Sequence, residues 1–330
     1  MTAKTIERTR PGDPEAAAPG DGGGSSELAL PRWDLDAVVT GLRLSRDVQH
    51  NIRYRGPIRP PPQRDAIVAA LRDLSAALFP AHYGQPGLTT ETIDYFVGST
   101  LNDALTLLNE QVRRSLPFTV EEDRGDAAFR RQAVEITRAF AAGLPHIRSL
   151  LVSDLRAAYD GDPAATGYSE ILLVYPGLTA IIHHRIAHAL HELGAPFLAR
   201  FISEIAHSAT GIDIHPGARI AGSFFIDHGT GVVIGETAIV GERVRLYQAV
   251  TLGARSFPAD EHGTLIKGNA RHPIIEDDVV IYAGASVLGR VTIGRGSIIG
   301  GNVWLTHSVP PGSRISQAQI RSSDGAAAHL

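Results

Sequence analysis

Two dipeptides carry most of the chemistry in this sequence: Asp227-His228, in the run IDHGTG, and Arg271-His272, in the run ARHP. An imidazole titrates near neutral pH, so His228 can take the proton from a hydroxyl and make it a nucleophile. A positioned base of this kind contributes ~10²–10⁴-fold. Arg271 offers a planar fork suited to a carboxylate. Asp213, in the run DIHP, is a candidate to hold the imidazole's other nitrogen, which would fix its tautomer and stabilise the imidazolium. Composition narrows the choices. With 330 residues and no Cys, disulfides, thiolate nucleophiles and sulfur-ligated metals are excluded. Lys occurs only as Lys4 and Lys267, and no Walker-type phosphate loop is present. A net charge of −4 gives no reason to expect nucleic-acid or membrane-surface binding. No apolar run reaches the length of a membrane span, and no signal-peptide core is seen, so a cytoplasmic location is expected.

These groups must be positioned by two kinds of element. Residues 1–32, rich in Gly, Pro, Ala and Ser, read as a disordered tail. Residues 33–208 show apolar residues at three- and four-residue spacing and read as a helical domain. Its segments include RDAIVAALRDLSAALF, TIDYFVGSTLNDALTLLNEQVRRSL, AAFRRQAVEITRAFAAGL and LTAIIHHRIAHALHEL, the last preceded by a helix-starting Pro176. From residue 209 to 312 the period becomes six. Ile214, Ile220, Ile226 and Val232 are followed, after a slip of two residues, by Ile234, Val240, Leu246 and Leu252. After a loop at 253–274 come Ile275, Ile281, Val287, Ile293, Ile299 and Leu305. Six matches neither a helix nor a simple strand, but it fits a parallel β-helix in which each hexad gives one strand and one corner. Asp213 precedes His228 by fifteen residues, close to one coil of three hexads, so the two are expected on neighbouring coils, about 4.8 Å apart. Residues 313–330 read as a flexible tail.

The repeat resembles the left-handed β-helix of the hexapeptide acyltransferases. Within that superfamily GIDIHPGARI, IDHGTGVVIGETAIVG, TLGA and RHPIIEDDVVIYAGASVLG resemble serine acetyltransferase, from about residue 160 to 311. The longer loop ARSFPADEHGTLIKGNARHP is similar to one bacterial branch. The fold class is therefore α+β, an N-terminal all-α domain followed by a left-handed parallel β-helix. The resemblance implies transfer of acetyl from the co-substrate acetyl-CoA to the L-serine hydroxyl, with no metal. It implies catalytic roles for His228, for Asp213 as its orienting carboxylate, and for His272, which hydrogen-bonds the serine side chain. Arg271 would bind the serine carboxylate, and Asp227 and Asp162 its ammonium. For Asp162 a plain turn role before Pro163 competes. Gly253, Ala254, Ala283 and Gly301 match small positions along the acetyl-CoA groove. Many family members carry Lys where this chain has Ile298, leaving Arg295 or Arg290 as candidates for the CoA phosphates.

The resemblance also implies a homotrimer or dimer of trimers, with each active site between subunits. Docking to cysteine synthase is a family property that favours a terminal Ile; the run GAAAHL departs from it and counts against that complex. Competing readings are a sugar or amino-sugar acetyltransferase, a zinc carbonic-anhydrase-like β-helix using His215, His228 and His272, and a non-catalytic trimeric scaffold. The histidines of HHRIAHALH read as a helix face, since HxxxH alone lacks a third ligand.

Overall fold

The computed structural model describes residues 33, 35–49, 59–119, 124–256, 260–261, 263–266 and 268–317. The disordered-tail reading of 1–32 and most of the 313–330 tail lie outside these residues, as does part of the 253–274 loop. The chain divides into two compact units, Met1–Pro57 and Ile58–Leu330. In the first, helix α1 (Leu35–Leu44) continues into a π-helical turn, Ser45–Gln49.

The second unit opens with helices α2 (Arg64–Leu78), α3 (Pro80–Tyr83), α4 (Ile93–Ser115), α5 (Asp126–Gly161), α6 (Tyr168–Val174), α7 (Pro176–Glu192) and α8 (Pro196–Thr210). Pro176 and Pro196 each stand in the first turn of their helix, where the missing N–H costs nothing. One helix is longer than its sequence suggests. α5 runs through Pro145 to Gly161, although an interior Pro removes a hydrogen bond and crowds the preceding turn. Its buried stripe continues across the Pro as Phe140, Leu144, Ile147, Leu151 and Leu155, so packing against the bundle sustains the helix. The bundle is built by packing α2 on α4, α4 on α5 and α7 on α8.

After Gly211, in the left-handed conformation that ends α8, the chain winds into a parallel β-helix. Its strands are β1 (Asp213–Ile214), β2 (Arg219–Ile220), β3 (Phe225–Ile226), β4 (Val233–Ile234), β5 (Ile239–Val240), β6 (Arg245–Leu246), β7 (Thr251–Gly253), β8 (Ile274–Ile275), β9 (Val280–Ile281), β10 (Ser286–Leu288), β11 (Thr292–Ile293), β12 (Ile298–Ile299), β13 (Trp304–Leu305) and β14 (Arg314–Ile315). They form three faces, ordered β1-β4-β7-β10-β13, β2-β5-β8-β11 and β3-β6-β9-β12-β14. All fourteen hexad positions are buried, from 0% to 8% exposed. The repeat extends past residue 312, since Arg314 and Ile315 pair with Ile298 and Ile299. The two-residue slip is also visible: Asp213 pairs with Val233, whereas Val233 pairs with Thr251. The extra residues sit in the corner between β3 and β4.

One buried ion pair joins helices to coil. Arg185 of α7 donates to Asp154 of α5 at 3.0 and 3.1 Å and to the carbonyls of Ile220 and Ala221; Phe224 N–H donates to Asp154 Oδ1 at 2.9 Å. The side chains are 4% and 0% exposed. Burial pushes the Asp154 carboxyl up to about 6 against the opposing pull of Arg185, which leaves it ionised at neutral pH. Breaking such a pair strands a buried charge. Asp154→Ala is expected to cost about 3–5 kcal/mol in urea unfolding, with a much smaller cost for an exposed control such as Asp103→Ala.

Candidate active site

Two clusters of functional side chains emerge on one chain. The first surrounds the β3–β4 corner. His228 lies there with φ +57°, a conformation few non-glycine residues adopt, and its side chain is 71% exposed. Gly229 follows at φ +89°, and a Cβ there would strike Ile212 Cδ1 at 2.4 Å. The inserted corner thus lifts His228 off the coil while its neighbour must remain bare. Asp227 Oδ1 is 3.9 Å from His228 Nε2, too far for a hydrogen bond. Asp162, at the end of α5, completes this cluster. It fulfils the turn reading, since Oδ1 accepts from Ala164 N–H at 2.8 Å, and it also accepts from Tyr175 Oη at 2.6 Å. The Tyr175 hydrogen bond, with smaller help from the Ala164 amide and the nearby His228 and Arg245, holds Asp162 below the usual carboxylate range. The same bond raises Tyr175 to about 12, so the phenol stays protonated.

The second cluster lies where β8 begins. Arg271 Nη2 donates to Glu236 Oε2 at 2.7 Å, and Arg271 Nη1 to Asn269 O at 3.2 Å. Burial pushes Glu236 up, but Arg271, with His215, outweighs this and keeps the carboxyl low. His272 is only 6% exposed. Thr237 N–H donates to its Nδ1 at 3.0 Å, which makes Nδ1 an acceptor and puts the ring proton on Nε2. Thr237 Oγ1 in turn accepts the amides of Arg271 and His272. Burial, and then the Arg271 charge, depress His272 to about 4, so it is a neutral Nε2–H donor under physiological conditions. The ring packs on Gly235, where a Cβ would fall 2.1 Å from Nε2. Arg290 donates to the carbonyls of Thr237 and His272, bracing this corner; Arg295 pairs with Asp277.

Not every expected neighbour is brought together. Asp213 does not reach His228. The two-residue insertion sets Asp213 opposite Val233, and its Oδ1 is 3.6 Å from Arg200 Nη1, buried without a hydrogen-bond partner. His228 likewise stands in a different cluster from Arg271 and His272, so His215, His228 and His272 do not converge on one point within the chain. Among the described residues only Glu204, His207 and Asp213 approach metal-ligand spacing, and the Arg200 guanidinium lies against both of those carboxylates. His184 of α7 is buried with neither ring nitrogen bonded, while His188 Nδ1 lies 2.8 Å from Pro216 O. Ala283 and Gly301 are adjacent on successive coils, where a Cβ on Gly301 would meet Ala283 O at 3.2 Å; Gly253 ends β7 and is followed by Ala254. Sequence reasoning assigned no role to Tyr175, Glu236 or Thr237. The last two lie in the run GET, which was legible as a signature but not as a brace.

Comparison with known proteins agrees with this geometry. Residues 272–307 match the family model described as bacterial transferase hexapeptide (six repeats). A plasmid-borne serine acetyltransferase of Synechococcus elongatus is 58% identical over 298 residues, 88% of this chain and 93% of that protein. The Bacillus subtilis serine acetyltransferase is 49% identical over half of this chain and 72% of its own length. The crystal structure of Entamoeba histolytica serine acetyltransferase 1 in complex with L-cysteine aligns over 80% of this chain and 90% of its own, with 38% identity and a TM-score of 0.67. The left-handed β-helix with corner-borne histidines and a helical cap defines a hexapeptide-repeat acyltransferase. More narrowly, the chain belongs to the serine acetyltransferase family.

The neutral His272 has a measurable consequence. Its folded pKa lies below its unfolded one, so the unfolded chain binds the extra proton first. The contribution to stability is complete above about pH 6.5 and is lost as pH falls towards 4. Thermal unfolding followed across that range is expected to show a steeper loss of Tm in the native protein than in His272→Gln. Gly235→Ala is expected to displace the ring and lower turnover roughly 10²-fold with the fold retained.

Proposed function

We propose that the protein transfers acetyl from acetyl-CoA to the hydroxyl of L-serine, giving O-acetyl-L-serine and CoA. The observation that carries this reading is the division of charge between the clusters. Asp162 and Asp227, beside the exposed His228, suit an ammonium next to a base, whereas Arg271, held by Glu236 with its plane fixed, suits a carboxylate. An amino acid with a hydroxyl side chain satisfies both. His228 takes the proton from the serine hydroxyl as the oxygen attacks the thioester carbonyl. The tetrahedral intermediate then collapses, the C–S bond breaks, and His228 returns the proton to the departing sulfur. His272, donating from Nε2, orients the serine oxygen so that a lone pair faces the carbonyl carbon. Direct transfer is the natural course in a chain without Cys.

The two clusters sit on one chain without touching, so a complete site requires two copies, consistent with the trimeric habit of this family. In that arrangement His228 of one copy meets Arg271 and His272 of the next. Asp213, whose Oδ1 lacks a donor, lies on the receiving side with His215 and Glu236, and it orients the incoming imidazole. Acetyl-CoA lies in the same junction, its pantetheine arm passing Gly253, Ala254, Ala283 and Gly301. The need for acetyl-CoA supports a cytoplasmic location for the reaction.

The test is to supply acetyl-CoA with L-serine, L-homoserine or glucosamine and follow thiol release. Turnover is expected with serine, and turnover with glucosamine alone would refute the reading. His228→Ala is expected to lose ~10²–10⁴-fold in kcat while light scattering reports an unchanged assembly. An unchanged rate would rule out His228 as the base.

A further inference from the structure

A second binding site is suggested by charges that the reaction does not use. Between α5 and strands β3 and β6 lies a cavity of about 430 Å³ whose lining includes Arg156, Arg243, Arg245, Ser223, Phe225 and one carboxylate, Asp160. The three guanidiniums are not equivalent. Arg243 is already engaged, donating to Asp278 at 2.6 and 3.1 Å and to Glu242 at 2.7 Å. Among the described residues neither Arg156 nor Arg245 makes a hydrogen bond or an ion pair with a carboxylate, although Asp160 lies one turn beyond Arg156. Arg245 is nonetheless held in place. Its guanidinium carbon is 5.7 Å from the centroid of Phe225, and its plane rests on Gly161, where a Cβ would meet Nη2 at 2.7 Å. A bare residue closing α5 therefore makes room for a cation that no carboxylate holds by a hydrogen bond. In a chain of net charge −4, two unpaired forks facing one cavity are uncommon company. Their planar donors match the oxygens of a tetrahedral oxyanion, and the hydroxyl of Ser223 adds a neutral donor at the same wall.

We propose that this groove binds a small metabolite bearing a phosphate or sulfate group, with the oxyanion between Arg156 and Arg245. The cavity is larger than a bare oxyanion needs, so an organic portion can lie along Phe225. The site is separate from the reacting groups but coupled to one of them. Asp162 ends the same helix and feels the Arg245 charge. This coupling rests on the reading of Asp162 as the acceptor for the serine ammonium. An unpaired Arg245 opposes that ammonium, and an anion bound to Arg245 cancels the opposition. Occupancy of the groove therefore lowers KM for serine and leaves kcat unchanged.

The experiment is calorimetric titration of the full-length protein with inorganic phosphate, inorganic sulfate and glucose 6-phosphate at constant ionic strength. It is run on the native chain, Arg156→Gln and Arg156→Lys. One saturable site per chain is expected, weakened roughly tenfold in R156Q and only partly restored in R156K, which keeps the charge but not the planar fork. Tighter binding of glucose 6-phosphate than of either ion supports an ester as the ligand, and equal affinity supports the free ion. Absence of saturable binding by all three, or equal binding in R156Q, overturns the site. Serine KM in the native chain is expected to fall roughly twofold or more with the anion bound, and not to respond in R156Q. An unchanged KM with calorimetric binding intact overturns the coupling alone. Failure to acetylate serine would instead refute the functional reading, while the titration would still decide the groove.

Discussion

The buried pair of Asp154 and Arg185 fixes where the helices stand on the coil, and much of the site inherits that position. Arg185 bridges the two helices and the backbone carbonyls of Ile220 and Ala221, and Asp154 takes the amide of Phe224. Both residues lie within a short distance along their helices from functional groups. α5 ends at Asp162, and α7 begins after Tyr175, whose phenol binds Asp162. Phe224 leads directly into β3 and the corner that carries His228. A single desolvated ion pair therefore sets Asp162 and Tyr175 against the corner that carries His228. Its desolvation makes it a weak source of net stability, but its directional bonds exclude other registers between helix and coil.

The opposite half of the site is held by different means. There the coil itself provides the scaffold, through ladder pairing that carries β5 into β8 across the long loop. This register brings Thr237 and Glu236 under Arg271 and His272, so that one residue selects the imidazole tautomer and the other fixes the guanidinium plane. The first half is polar and exposed, whereas the second is braced, partly buried and stripped of adaptable protons. The two imidazoles thus differ in setting, one exposed on a lifted corner and the other buried and held neutral.

Much of this was legible in the sequence, but unevenly. The hexads could be read because each inward position admits one kind of residue, and all fourteen are buried. The slip between Val232 and Ile234 marked the corner where His228 stands. The consequence for Asp213 was not legible, since counting coil lengths ignores the insertion that shifts its partner to Val233. The extent of α5 was hidden by Pro145, whose local penalty is outweighed by packing that only the folded bundle supplies. Glu236 and Thr237 stood in plain view in GET, but their partners are reached only through a loop whose length says nothing about register. Tyr175 gave no signal at all, because its role depends on where α5 ends.

A parallel solenoid has two open ends, each showing unpaired strand amides and carbonyls to any similar chain. At the beginning of this one, α8 packs on β1, and α5 and α7 pack on β3. The helical bundle thus serves as a lid on the first coil as well as a holder for Asp162 and Tyr175. A coil without that lid would present a ready template for stacking end upon end into fibres. The helices that place Asp162 and Tyr175 therefore also keep the repeat finite, and selection on either property restrains the other.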